Sequence, residues 1–156
     1  MFEKLRQFVI AENKIRPDAL HGPKHWRRVE KNGLMIARQT GADPVVVKLF
    51  ALFHDAKREN DNQDPGHGRR AASYAESLRK NHFSITDAQF DLLLRACCGH
   101  TDGTLSEDPT IATCWDADRL DLGRVGITPA SGFMSTEVGK RLAEIGDQDD
   151  PEDLFK

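Results

Sequence analysis

The amino-acid sequence predicts an all-α fold, a helical bundle in a single domain. Apolar residues recur at helical spacing along most of the chain, and glycine, proline and capping residues interrupt them at intervals that suit helices. The length of 156 residues is that of one ordinary domain, and no repeat or low-complexity segment divides it. We therefore expect one domain over residues 1–146, followed by an acidic tail over residues 147–156.

Two helices are expected in the first quarter of the chain. Apolar residues over 2–9 follow a helical spacing, and this helix should end before Pro17, because the residue preceding a proline disfavours helical geometry. The second helix should begin at Gly22-Pro23, since proline is well tolerated in the first helical turn. It should end at Gly41, because glycine is common just after a helix.

The most apolar segment of the chain, PVVVKLFALFHDAKR, follows Asp43 and should form a helix in the core. Its valines are also compatible with a buried strand, and periodicity alone does not separate the two structures. The length of the segment and its Asp-Pro start favour the helix.

Four further helices are expected in the rest of the chain. The polar loop ENDNQDPGHG separates the core helix from a helix over about residues 69–80, and Ser84 or Thr86 should cap the next one. A turn-rich stretch, GHTDGTLSEDP, leads to the helix IATCWDADRLDLG. A last helix is expected near residues 136–145.

Composition and charge narrow the class of protein. Residues 147–156 hold five acids and one base, which leaves 20 acids and 21 bases elsewhere, so the body is nearly neutral and unsuited to binding a nucleic-acid duplex. No apolar run reaches the roughly 20 residues of a membrane helix, and the charged N-terminal segment does not resemble a signal peptide. With only three cysteines, all expected to serve packing, these features favour a cytoplasmic location.

The adjacent residues His54 and Asp55 end the apolar segment and are the first candidates for a functional site. Buried polar groups without partners cost several kcal/mol. A divalent metal ion would satisfy an imidazole and a carboxylate together. The alternative is that the two residues merely form the polar end of a helix, which is common.

Three sequence elements place this pair in a wider pattern. His25 opens HWRRV, His54 and Asp55 lie in LFHDAKR, and Asp118 lies in DADRLDLG. In this order the chain resembles the HD-domain metal-dependent phosphohydrolases, over about residues 21–126. The resemblance implies a helical bundle in which these four residues bind a metal ion. It also implies hydrolysis of a phosphate ester of a nucleotide or another small molecule.

Two further histidines match the dinuclear branch of that family, which includes hydrolases of diadenosine tetraphosphate. His67 lies in DPGHGRRAA and His100 in CCGHTDG, and the resemblance assigns both to a second metal ion. The alternative is that His67 is a loop residue and that His100 ends a helix. After Asp118 the chain reads RLDLGR, which is closer to mononuclear members, so one metal ion and two both stay open.

Other residues near the pattern are candidates for supporting roles. His21 stands four residues before His25 and could orient the site or contact substrate. Asp116 should point away from Asp118, because it lies two residues before it on a helix. Asp121 lies on the same face as Asp118 and should orient a ligand or an arginine.

The chemistry implied by the resemblance is the hydrolysis of a phosphate ester with Asp55 at the catalytic centre. Nitrogen and oxygen ligands suit one or two ions of Fe, Mn, Co, Ni, Zn or Mg, and the sequence does not choose among them. Such ions activate water and polarise a phosphoryl oxygen. Phosphate also needs positive charge nearby, for which Arg58 is the first candidate, followed by Arg69 and Arg70; ordinary surface charge is the alternative for each.

Two other functions are compatible with the same residues. The chain could be a non-catalytic helical module that binds a metal ion or a nucleotide. It could also be a mononuclear nucleotidase in which His67 and His100 contact substrate. For the enzyme, the partner is a small phosphorylated substrate, and the preference for a nucleotide comes from the resemblance.

Overall fold

The computed structural model describes residues 1–146, which form seven α-helices, two 3₁₀ turns and no β-strand. The predicted all-α fold, with its helices packed in one domain, is confirmed. The acidic tail expected over residues 147–156 lies outside the described residues. The α-helices are α1 (Phe2–Glu12), α2 (Pro23–Thr40), α3 (Pro44–Phe53), α4 (His67–Leu78), α5 (Asp87–Gly99), α6 (Pro109–Arg119) and α7 (Glu137–Ile145), and the 3₁₀ turns are Leu122–Val125 and Ser131–Phe133.

Local side-chain chemistry sets most of the helix ends. The carboxylate of Asp43 accepts hydrogen bonds from two backbone N–H groups in the first turn of α3, which confirms the helix over the strand alternative. Thr86, rather than Ser84, caps α5, and Gln89 completes a reciprocal capping box. Gly41 ends α2 with a φ of 74°, a left-handed conformation that glycine adopts without strain.

Three helix boundaries near the expected site differ from the prediction. α6 ends at Arg119 instead of continuing through the predicted segment to Gly123, and a 3₁₀ turn follows it. α3 ends at Phe53 and does not include HDAKR, the last five residues of the predicted helical segment. α4 begins at His67, two residues earlier than expected. The loop position expected for His67 is therefore wrong. The backbone carbonyl of Asp64 accepts a hydrogen bond from the His67 N–H, and Arg70 holds the Asp64 carboxylate. Apolar periodicity does not report such polar contacts, which build the turn before α4.

α3 is the central helix of the bundle. Its residues from Val46 to Phe53 are buried except for Lys48, because α2, α5 and α6 surround it. α2 also packs along α6, and α4 packs on α5, so these helices enclose the C-terminal end of α3. Within residues 1–146, every helix is too short or too polar to cross a lipid bilayer.

Candidate metal centre

Six side chains that could bind a metal ion meet beside the C-terminal end of α3. They come from the first turn of α2, the end of α3, the start of α4, the end of α5 and the last turn of α6. Five of them are at most 5% exposed, and the side chain of the sixth, an aspartate of α6, is 14% exposed. The six residues are His25, His54, Asp55, His67, His100 and Asp118.

Four of these residues form a first subsite, in which His25 and His54 lie close to both Asp55 and Asp118. The ligand atoms of His25, His54 and Asp55 all lie within 4.8 Å of one another. The Nε2 atoms of His25 and His54 are 3.0 Å apart, and Asp118 Oδ1 lies 3.2 Å from the former and 3.5 Å from the latter. Asp55 Oδ2 lies 3.4 Å and 3.5 Å from the same two nitrogens. Ligand atoms about 2.1 Å from a shared ion lie about 3.0 Å apart in octahedral and about 3.4 Å apart in tetrahedral coordination. The spacing therefore suits one divalent ion.

The other oxygen of Asp55 belongs to a second subsite. Asp55 Oδ1 lies 3.0 Å from His67 Nε2 and 3.6 Å from His100 Nε2, and the two nitrogens are 2.9 Å apart. The sequence alternative in which His67 and His100 lie apart from the site does not describe this arrangement. The carboxylate of Asp55 thus presents one oxygen to each subsite, as a bridging ligand of two neighbouring ions would.

All four histidines turn the same ring nitrogen toward the centre. Each Nδ1 is held by an oxygen acceptor, which places its proton on Nδ1 and leaves the Nε2 lone pair facing the ligand cluster. Such outer partners are typical of histidines that bind metal ions. The pairs are His25 with Asp121 Oδ2 at 2.6 Å, His54 with the carbonyls of Phe50 at 3.0 Å and Ala51 at 3.2 Å, His67 with the carbonyl of Asp64 at 2.5 Å, and His100 with the carbonyl of Cys97 at 2.7 Å.

Facing Nε2 atoms cannot hydrogen bond to each other unless one of them carries a proton. Burial opposes a charge on His25, but three surrounding carboxylates raise its pKa to about 10, and burial lowers the pKa of its partner His54. In the second subsite, burial again opposes the charge, yet Asp55 and Asp118 raise the pKa of His100. The carboxylates of Asp55 and Asp118 thus favour positive charge in both subsites.

The two aspartates are ionised despite their burial. Burial by itself would raise the pKa values of Asp55 and Asp118, but the surrounding histidines lower both well below the usual range. Asp118 Oδ1 is buried and makes no hydrogen bond to the described residues. Buried anionic oxygens almost always have a partner, so this atom is suited to a cation. The donor set of the centre therefore fits divalent metal ions.

Polar side chains outside the cluster support the first subsite. Asp121 accepts from His25, and its other oxygen accepts from Arg28 Nε at 2.6 Å, in agreement with the expected orienting role. Asp116 instead points away from the centre and accepts from the backbone N–H groups of Ser135 and Thr136 before α7. Of the two aspartates that flank Asp118 in sequence, Asp121 thus orients a ligand of the centre and Asp116 holds the backbone before α7.

Arg124 also belongs to the centre, although the sequence analysis did not identify it. One of its terminal nitrogens lies 3.3 Å from His21 Nδ1 and 3.9 Å from Asp118 Oδ1, and the other donates to the carbonyl of Asp121 at 2.9 Å. The signal that could have revealed it is the spacing of three residues after Asp121, which a 3₁₀ turn places on the same side. His21, a sequence candidate, lies at the centre too, with Nδ1 3.2 Å from Asp55 Oδ2.

The three arginines predicted to contact phosphate lie in different surroundings. Arg58 Nε donates to Asp55 Oδ1 at 3.2 Å, and the residue lines a cavity beside the centre together with His21. Arg69 and Arg70 line a separate cavity with Lys57, away from the ligand cluster. Arg70 is in addition held by the Asp64 carboxylate at 2.6 Å. The structure therefore brings only Arg58 of the three to the candidate centre.

The cysteines take no part in the centre. Cys97 and Cys114 are buried, as expected for packing, and burial raises the pKa of both thiols. Cys98 is exposed, which corrects the expectation that all three pack in the core. The reason is helical geometry, because neighbouring residues on α5 point about 100° apart and Cys97 takes the inward direction.

Comparisons of the chain with protein-family models, with curated proteins and with solved structures find no match. What kind of protein this is therefore has to be judged from the fold and the geometry of the described residues. The chain is an all-α protein with a buried histidine–aspartate cluster that could hold metal ions. That cluster is compatible with the HD-like site which the sequence pattern predicts.

Metal affinity is expected to rise with pH, because protons and metal ions compete for the same nitrogens. His25, with a pKa of about 10, is protonated at pH 7 in the metal-free protein and must lose that proton to bind a metal ion. One proton released per ion corresponds to about a tenfold gain in affinity per pH unit below that pKa. Calorimetric titration with Mn²⁺ between pH 6 and 8, in buffers of different ionisation enthalpy, measures the release. A titration with no proton release at pH 7 would contradict the assignment of His25 as a ligand.

The second subsite is expected to be sensitive to a single methyl group at Gly68. A Cβ added there would lie 2.4 Å from the Cys97 carbonyl oxygen, the same oxygen that orients His100. Because backbone atoms cannot give way cheaply, Gly68→Ala should separate α4 from α5 and cost about 1–3 kcal/mol of unfolding free energy. Chemical denaturation measures that change, and metal counting should show the loss of one bound ion. Gly132→Ala is the matched control, since Gly132 has open space around it; equal behaviour of the two variants would refute the prediction.

Proposed function

We propose that the protein is a metal-dependent phosphohydrolase that cleaves a phosphomonoester or phosphodiester bond of a small phosphorylated substrate with an activated water molecule. The observation that carries the proposal is the carboxylate of Asp55, whose two oxygens face two adjacent clusters of ligand atoms. His25, His54 and Asp118 would complete the first site, and His67 and His100 the second. Divalent ions held there supply Lewis acidity toward a phosphoryl oxygen and lower the pKa of water.

The side chains around the ligand cluster have defined tasks in this proposal. Asp55 would be the central catalytic group because one of its oxygens faces each of the two sites. Arg58 and His21 line the cavity beside Asp55 and would contact the phosphate as it enters. Positive charge at that position is what transfer of a phosphoryl group requires. Assignments of Arg69 and Arg70 to the substrate stay predictions, since both line another cavity.

Turnover of two simple reporters tests the proposal. We expect the metal-loaded protein to hydrolyse p-nitrophenyl phosphate or bis-p-nitrophenyl phosphate, to lose this activity with a chelator and to regain it when Mn²⁺ is returned. Counting metal ions per chain in the same samples links activity to occupancy. A protein that binds metal ions but cleaves no phosphate ester under any metal would favour the non-catalytic binding module. A protein that binds no metal ion would refute the metal centre itself.

Arg58→Ala is expected to keep the metal ions and lose phosphate recognition. The guanidinium donates to the carbonyls of Asn60 and Asn62 as well as to Asp55, so it also shapes the cavity wall. We expect KM to rise or kcat to fall by on the order of 10²-fold, the effect of removing one preorganised charge. Arg58→Lys should recover part of the activity, because lysine restores the positive charge but not the planar, bidentate geometry of the guanidinium. Parent-like turnover of every tested ester by Arg58→Ala would disprove its role.

A further inference from the structure

We infer that the substrate is a small polyhydroxylated phosphomonoester, of the sugar phosphate type, rather than a nucleotide. The inference rests on the proposed phosphohydrolase function and narrows its substrate class. It comes from the cavity beside the metal centre, which we call the entry cavity. Its walls are the loop between α1 and α2 and the loop after α3, and both His21 and Asp55 line it.

The size of the entry cavity suits a compact substrate. Its volume is about 270 Å³. Pockets for drug-sized ligands run from about 300 to 1,000 Å³, so the entry cavity lies below the lower end of that range. The cavity accommodates a phosphate group with a sugar, whereas most of a dinucleotide of the diadenosine type would lie outside its walls.

The walls of the entry cavity offer polar groups rather than a surface for a base. Of the described residues that line it, His21 alone has an aromatic ring, and the largest apolar side chain is Ile15. Proteins gain about 1–3 kcal/mol by stacking a base on an aromatic side chain. No described Phe, Tyr or Trp lines this cavity, and both nitrogens of the His21 ring lie within hydrogen-bond distance of Asp55 and of the Asp61 carbonyl. The carboxylate of Asp61 makes no hydrogen bond to the described residues, although its backbone carbonyl lies 3.3 Å from His21 Nε2. A free carboxylate at this position is a hydrogen-bond acceptor suited to hydroxyl groups.

The charges of the walls favour one phosphate group over a polyphosphate chain. Three basic and three acidic side chains line the entry cavity, and one of the acids, Asp55, belongs to the metal centre, so the surplus of positive charge outside the centre is a single charge. A di- or triphosphate would bring further negative charge against these acidic groups. The basic residues are Lys14, Arg16 and Arg58, and the acidic residues are Asp55, Glu59 and Asp61.

A pair of substrates that differ in the base tests the inference. Ribose 5-phosphate and adenosine monophosphate share the phosphorylated ribose, so the metal-loaded full chain compares the base alone. We expect kcat/KM to be at least about tenfold higher for ribose 5-phosphate, since the base finds no complementary wall. Equal or better turnover of adenosine monophosphate would overturn the inference and leave the phosphohydrolase function standing. If the protein cleaves p-nitrophenyl phosphate but neither of these esters, the inference fails and the proposed function stands. If it cleaves no phosphate ester at all, the proposed function fails, and calorimetric binding of the same pair decides the inference: tighter binding of ribose 5-phosphate supports it and any other order refutes it.

Removal of the free carboxylate tests the role of the hydroxyl groups. Asp61→Ala should raise KM for ribose 5-phosphate by about tenfold more than KM for phenyl phosphate, because the latter has no hydroxyl group to bind. The backbone carbonyl near His21 is kept in this variant. Asp91→Ala is the matched control, as Asp91 is an exposed carboxylate on α5. An equal rise for both esters, or a rise for neither, would overturn the inference.

Discussion

An Asp55→Ala variant is expected to bind no divalent ion tightly and to lose phosphohydrolase activity. Asp55 is the one described side chain that faces both subsites, so its removal takes a ligand from each. We expect kcat/KM to fall by on the order of 10³-fold or more, since the pKa of water is about 7 on a catalytic metal ion and about 15.7 in bulk. Elemental analysis and reporter turnover measure the two losses.

Two comparison variants separate this loss from general damage. Asp55→Asn keeps the shape and one oxygen acceptor but removes the charge, so it should retain weak metal binding. Asp91→Ala removes an exposed carboxylate and should behave as the parent protein. Helix content by circular dichroism should be the same in all variants, because Asp55 lies beyond the last residue of α3. Stoichiometric metal in a well-folded Asp55→Ala protein would end the bridging assignment.

The double variant His67→Ala, His100→Ala is expected to reduce the number of bound ions from two to one. The two histidines contribute to the second subsite only, whereas the ligands of the first are retained. Catalysis should fall by on the order of 10²–10³-fold, the size seen when one preorganised electrostatic stabiliser is lost. The remaining ion should still bind, because His25, His54 and Asp118 are unchanged.

Metal titration followed by turnover is the measurement for this variant. His82→Ala is the matched control, since His82 is exposed and stacks on Phe8 away from the centre. A parent protein that saturates at one ion per chain, even with excess Mn²⁺ or Fe²⁺, would favour the mononuclear alternative. His67 and His100 would then act on the substrate rather than on a second ion.

The sequence predicted those residues of the centre that the apolar pattern and the order of the motifs indicate. The apolar run of α3 indicated that His54 and Asp55 end a buried helix, and the order of the remaining elements indicated which residues would join them. It could not predict that His67 begins α4, because the polar contacts of Asp64 decide that boundary. The position of Arg124 was also missed, since it depends on a short 3₁₀ turn with no apolar period.

The entry cavity could not be predicted from the sequence either. Its two walls are loops, whose paths follow from contacts between distant residues rather than from local preference. Lys57, for example, donates to the side chain of Asn13 at 2.7 Å across 44 positions of the chain. Arg69 and Arg70 were likewise expected near the centre because they follow His67, but a helix turns neighbouring side chains in different directions.

The backbone partners of the histidines have a consequence for how the protein tolerates change over evolutionary time. Three of the four rings are oriented by main-chain carbonyls, which no amino-acid replacement can delete. Only His25 is oriented by a side chain, that of Asp121. The orientation of the two histidine rings in the second subsite is therefore little affected by amino-acid replacements, as long as the helices keep their positions. The first subsite depends on the carboxylate of Asp121, which a replacement can remove. In relatives that lack Asp121, the orientation of the His25 ring is expected to be the first to be lost.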